Sequence, residues 1–165
     1  MAELSTLDGF RKLFQEVLNQ RNADLLPPYW APDIVEEFPT GTLRGRAAVR
    51  DYFAGMFAAM PDFHIEVIAI AGDGECVFVR WHTTGTFSGQ PWMGIRPNGA
   101  HVSLDGIDCF TLRDGLVVHN FVAYDQVAFA RQIGMLPPTG SATDRLMLGA
   151  FNLRTRVRKG LGLGV

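Results

Sequence analysis

The chain has 165 residues, 47% of them apolar, and a formal net charge of −2, which is one domain's worth of sequence with enough apolar side chains for a core. That balance gives no reason to expect nucleic acid, and no apolar run reaches the ~20 residues a membrane helix needs. The start, MAELSTLDGF, has no basic segment leading into an apolar one, so no signal peptide and a cytoplasmic location are expected. Cys76 and Cys109 fall on separate strand-like runs and read as reduced core thiols. The net charge hides an asymmetry: residues 1–140 hold 10 Lys and Arg against 16 Asp and Glu, whereas residues 141–165 hold 5 against 1.

Ser5-Thr6-Leu7-Asp8 reads as a helix start, with Ser5 as cap, and Leu7, Phe10, Phe14, Val17 and Leu18 then recur at helical spacing to about Asn19–Asn22. A short helical piece over Ala23–Leu26 is expected to stop at Pro27-Pro28, and Tyr29-Trp30 to staple the following loop to the core. Asp33–Phe38 is short and mixed, with Glu36 and Phe38 on one face if it is a strand, and Pro39-Thr40-Gly41 turns the chain. Between Arg44 and Met60 the stripe Val49, Phe53, Met56, Phe57, Met60 predicts a second long helix.

From Phe63 the period becomes strand-like. Residues 63–70 alternate, Gly72-Asp73-Gly74 turns, and Cys76–Phe87 forms a long strand with Val77, Val79, Trp81 and Thr83 on its inner face. The loop GQPWMGIRPNG carries Trp92 and Met93 at its tip. The central feature is the hairpin His101–Asp125, whose Asp114-Gly115 pair signals a tight turn between Val102–Leu112 and Leu116–Tyr124. Its inner face places the carboxylate Asp108 beside Leu104, Gly106 and Phe110, opposite Val118, Asn120, Val122 and Tyr124. An acid desolvated in that way holds its proton and can act as donor or base, although an acid bonded to backbone would show the same pattern. Helices followed by strands joined by tight turns give an α+β fold, with helices across a curved antiparallel sheet that encloses a cone-shaped pocket.

Several motifs together resemble the SnoaL-like polyketide cyclases, in the superfamily of ketosteroid isomerase and nuclear transport factor two. They are Gly45-Arg46-Ala47-Ala48-Val49-Arg50, Pro61-Asp62-Phe63, Arg80-Trp81, the run from Trp92 to Gly115, Tyr124-Asp125, and Arg131-Gln132-Ile133-Gly134 with Pro137. The resemblance covers about residues 7–138. It implies a cofactor-free pocket for a hydrophobic molecule and a homodimer packed through the sheet. Carried over by position, the isomerase's protonated oxyanion-binding aspartate falls on Asp108, its general base on Phe38 and its helix tyrosine on Phe14. The cyclases' His-Trp-Asp run reads Asn120-Phe121-Val122. Two of the three isomerase groups and the cyclase acid are therefore replaced, which argues against either orthodox mechanism.

The expected site has Asp108 as acid or base, with Asn120 or Tyr124 donating to a developing enolate oxygen. Glu36 is a further polar group, and Phe14, Phe38, Trp81, Trp92, Met93, Phe110 and Val122 form its apolar walls and lid. No metal is expected, since His64, His82, His101 and His119 lack ligand spacing, and Asp125 is read as a helix cap. The domain is expected to end at 138, with 139–165 a basic, partly helical extension docked on the subunit or its mate; a membrane-surface role is disfavoured. Three functions fit: an acid-base enzyme of the cyclase or isomerase kind acting on a small hydrophobic carbonyl or ring compound, a binding module without turnover, or a dimerising scaffold.

Overall fold

A computed structural model of the chain describes residues 7–160, so the expected Ser5 cap lies outside the described residues. Six strands form one curved, unclosed sheet in the order β2-β1-β6-β5-β4-β3, where β1 is Trp30–Phe38, β2 Gly41–Arg44, β3 His64–Gly72, β4 Cys76–Phe87, β5 Ala100–Arg113 and β6 Leu116–Tyr124. Helices α1 (Leu7–Lys12), α2 (Arg46–Ala59), α3 (Gln126–Gln132) and α4 (Ala142–Gly160) complete the α+β fold. Neighbouring strands are antiparallel except β1 and β6, which run parallel and set Glu36 beside Asn120.

The hairpin forms as its pattern dictates. Asp114 and Gly115 take positive φ values of 53° and 73°, the conformation that a two-residue turn with right-handed strands requires. Along β5, Val102, Leu104, Asp108, Phe110 and Leu112 are buried in strict alternation. On β6 a bulge opposite Thr111 and Leu112 breaks the simple period, so the sheet buries Val117 where alternation alone predicts Val118, and then Asn120 and Val122. Phe10, Leu26, Ile34, Val49, Val77, Val79 and Val117 form the driest part of the core, each fully buried side chain of this size contributing roughly 1.5–3 kcal/mol of transfer free energy.

The N-terminal helix is less regular than its spacing predicts. After Lys12 it widens into a π turn over Leu13–Val17, tightens to a 3-10 turn over Leu18–Gln20, and ends at Arg21, which is left-handed at φ 53°. Asn19 ties this end to β3 in both directions, accepting from the Ile65 N–H at 2.8 Å and donating to the Ile65 carbonyl at 2.9 Å. Pro27-Pro28 does not stop the chain's helical turns; it opens a further one, Pro27–Tyr29, because proline is tolerated at a helix start. Trp30 lies inside β1 and stacks on Phe53. Strand β2 is a short edge element with no clear alternation in its sequence, and it was not anticipated.

The outer face of the sheet carries Phe78, Ile107 and Phe121 at 45–50% exposure. His82 and His119 lie there too, facing Asp105 at 3.5 Å and Glu37 at 3.4 Å. So do the two cysteines, which are not core thiols: both are partly exposed and their Sγ atoms are 3.9 Å apart, because strand pairing brings Cys109 beside Phe78, two residues after Cys76. Helix α4 is anchored at its first turn by buried Asp144, whose Oδ2 accepts from the Gly140 N–H at 2.8 Å and whose Oδ1 faces Arg131 at 3.7 Å. Farther along, Leu146, Phe151, Leu153 and Val157 stay 53–72% exposed, so the helix is not docked along its length on its own subunit. Among the described residues no helix is long and apolar enough to cross a membrane.

Candidate functional site

Between the sheet and the N-terminal helices lies a cavity of about 120 Å3. Phe14, Phe38, Trp81, Trp92 and Phe110 form apolar walls, and Glu36, Asp108, Asn120, Val122 and Tyr124 also line it. Every expected site residue is therefore present except Met93. Its backbone is left-handed at φ 52°, its side chain is 51% exposed, and it lies outside the lining, leaving Trp92 as the loop's only contribution to this wall.

Three polar side chains are buried together here: Glu36, Asp108 and Asn120. The Asn120 Nδ2 group donates to Asp108 Oδ1 at 3.0 Å and to Glu36 Oε2 at 3.2 Å, so one amide nitrogen joins two carboxyls. Asp108 Oδ2 takes a second bond from the Trp81 indole N–H at 2.8 Å. Sheet register explains the assembly, since Glu36 is the β1 partner of Asn120, while Asp108 is the β5 partner of Val122, two residues on.

Burial dominates the electrostatics. Asp108 is pushed up from its ordinary 3.8 to about 7 by desolvation, against the pull of the Asn120 and Trp81 bonds, which favour the charged form. Glu36 is raised well above the usual carboxylate range, first by burial and then by the charge of Asp108, with the Asn120 bond opposing. Two acids sharing one donor in an apolar space titrate as a pair. Burial favours the protonated form of each.

Beside them sits a second pair that the sequence reading did not single out. Tyr52, on α2, stacks on Phe38 with ring centroids 4.3 Å apart, and its hydroxyl pairs with that of Tyr124. Burial raises both phenols above their ordinary value. The helical stripe of α2 singled out only aliphatic, Met and Phe positions, so Tyr52, one residue off the stripe, carried no signal. Trp81 was read only as an apolar wall, although its N–H proves to be a partner of the acid. Asp125 caps α3 as expected, accepting from the Ala128 N–H at 2.8 Å. Among the described residues no group of three or more His, Cys, Asp or Glu is placed to hold a metal.

A family model described as a SnoaL-like domain matches residues 10–120, and the chain belongs to this family. A crystal structure from Jannaschia sp. CCS1, described as a SnoaL-like polyketide cyclase, aligns with a TM-score of 0.70 at 23% identity, covering 82% of this chain and 96% of that one. IdmH from Streptomyces antibioticus, described as a polyketide cyclase, aligns at 0.64 with 27% identity, covering 77% and 96%. TsrD from Streptomyces laurentii aligns at 0.65 with 22% identity, covering 77% and 90%. Comparison with curated proteins gives no match.

Phe38 stacks on Tyr52, and Phe14 packs edge-on against Phe110. Both are wall residues here. Glu36 lies two residues before Phe38 on β1, and both line the cavity.

Proposed function

We propose that this protein is a cofactor-free enzyme that moves a proton next to the carbonyl of a small hydrophobic ring or carbonyl compound, in the manner of a cyclase or isomerase. The observation that carries the reading is the buried pair of Asp108 and Glu36 on one Asn120 amide group, inside an apolar cavity. Two carboxyls held in one buried pair can divide the tasks of base and acid between them. Asp108, ionised near neutral pH, takes the proton from the carbon beside the carbonyl. The enolate oxygen that develops needs a donor. Asn120 is not free for that task, because its amide hydrogens are engaged by the two acids, so it becomes a positioning residue. Protonated Glu36 and the Tyr124 hydroxyl, which pairs with that of Tyr52, are the donors in this reading. Asp108 then returns its proton to another atom of the product.

Deuterium exchange at the α carbon of small cyclic ketones, followed by NMR, tests this directly. The wild type should exchange, and Asp108→Asn should lose roughly 100-fold or more. Exchange that survives the substitution sinks the acid-base reading, and binding without exchange favours a binding module.

A second copy of the chain is proposed to pack on the outer sheet face, where Phe78, Ile107 and Phe121 are exposed. Sedimentation of the wild type against Phe78→Glu tests it, and a monomeric wild type refutes it.

A further inference from the structure

Cys76 and Cys109 are the chain's two cysteines, and the fold brings them into contact although they stand 33 residues apart in sequence. Their Sγ atoms are 3.9 Å apart and share a hydrogen bond on the outer face of the sheet, and both side chains are partly exposed. Strand register holds them there. Cys109 pairs with Phe78 and Cys76 with Thr111, so the two thiols are diagonal neighbours on one face.

The two positions differ. Cys76 is the first residue of β4 and follows a turn in which Gly74 takes a positive φ of 94°, so it stands at the rim of the face. Cys109 lies farther in, with Phe78 and Phe121 as its partners on either side. Burial first, then the hydrogen bond and charge of Cys76, raise the Cys109 thiol above its ordinary value. Cys76 is therefore the thiol placed to react first, and Cys109 the one placed to follow.

Diagonal neighbours in a sheet usually lie about 7–8 Å apart, and an unstrained disulfide spans at most about 6.8 Å between Cα atoms. Bridging this pair means closing the sulfurs from 3.9 Å to about 2.05 Å, with the backbone yielding at the start of β4. A bridge made under strain is readily reduced, which suits a reversible link and not a permanent one.

We propose that Cys76 and Cys109 are a reversible oxidation site on the outer face of the sheet, converted to an intramolecular disulfide by a low-molecular-weight disulfide such as glutathione disulfide. The Cys76 thiolate attacks the small disulfide and releases one small thiol. The Cys109 thiolate then attacks Cys76 Sγ and releases the second. Two protein thiols and one small disulfide thus become one protein disulfide and two small thiols. The site is separate from the cavity and independent of the acid-base reading, although Cys109 directly follows Asp108 on β5.

The test is to equilibrate the full-length protein in glutathione buffers, quench with acid, alkylate the remaining thiols and weigh the intact chain by mass spectrometry. In excess glutathione disulfide most chains should lose two hydrogens and take no alkyl label, and in excess reduced glutathione both thiols should be labelled. Cys109→Ser should stop at a mixed disulfide carrying one glutathione, and Cys76→Ser should react about ten-fold more slowly than Cys109→Ser. Equal rates in the two variants would refute the assigned order of attack. A wild type that collects glutathione without bridging, or does not react, overturns the pairing. A bridge that survives excess reduced glutathione overturns its reversibility. Cross-linked dimers on a non-reducing gel would assign the thiols to contact between copies instead, and sedimentation under reducing conditions reads the second-copy proposal separately.

Discussion

Trp81 and Asp108 face each other from adjacent strands, with the indole N–H 2.8 Å from Asp108 Oδ2. The bond favours the charged carboxylate, so it restrains a carboxyl that burial drives the other way. Trp81→Phe should therefore raise the Asp108 pKa above its present value of about 7. Carbon-13 NMR titration of the Asp108 carboxyl reads this, and a midpoint that stays or falls would show that the indole bond is not made in solution.

The same tryptophan depends on a glycine. Trp81 pairs with Gly106 across β4 and β5, and a Cβ at residue 106 would run into the Trp81 ring. Gly106→Ala should destabilise the protein by about 1–3 kcal/mol through overpacking, and should move the indole off Asp108. Urea unfolding measures the first effect and tryptophan fluorescence the second. A variant as stable as the wild type would mean that the ring has room to turn.

Stability should fall as pH rises from acid to neutral. An ordinary carboxyl loses its proton near 3.8, whereas Asp108 in the fold keeps it to about 7. Between those values the folded chain binds more protons than the unfolded one, so the contribution is complete below about pH 4 and is lost on passing pH 7. Glu36, also raised, acts in the same direction. Urea midpoints should be higher at pH 5 than at pH 8, and Asp108→Asn should flatten that slope. A midpoint that climbs over this range in the wild type would contradict the burial of the pair.

Helix α4 offers a test of domain limits. We propose that residues 139–165 are an extension beyond the folded domain, since past buried Asp144 the apolar side chains of the helix stay exposed. Deletion of 142–165 should shift Tm by only about 3 °C, the effect of ~1 kcal/mol in a chain of this size. A much larger loss would show that α4 is an integral part of the domain in solution.

Much of the architecture was legible in residue periodicity. Asp114-Gly115 marked the hairpin, alternation through Leu104, Asp108 and Phe110 marked the inner face, and the α2 stripe marked the helix that covers it. Relations that depend on register were less legible. The bulge near Thr111 moved burial from Val118 to Val117, and the diagonal approach of Cys76 to Cys109 arises from strands whose offset no local pattern reveals. The site divides in the same way. Asp108 was found because an acid interrupts an apolar face, whereas the Trp81 N–H, Tyr52 and the double engagement of Asn120 depend on contacts between distant segments.

The parallel pairing of β1 with β6 also sets an order of events in time. Glu36 and Asn120 are 84 residues apart, so on the ribosome Glu36 emerges long before the strand that will receive it. Loop closure over that span must precede any reward from the contact, which makes it a late step of folding. The hairpins β3–β4, β4–β5 and β5–β6 can form from neighbouring sequence as they appear. On that order of events, Glu36 would take up its proton as β1 closes against β6, since burial in the fold raises it well above the usual carboxylate range. A weakly buffered refolding reaction carrying a pH dye should then show a late proton uptake, and uptake complete in the earliest phase would overturn this order.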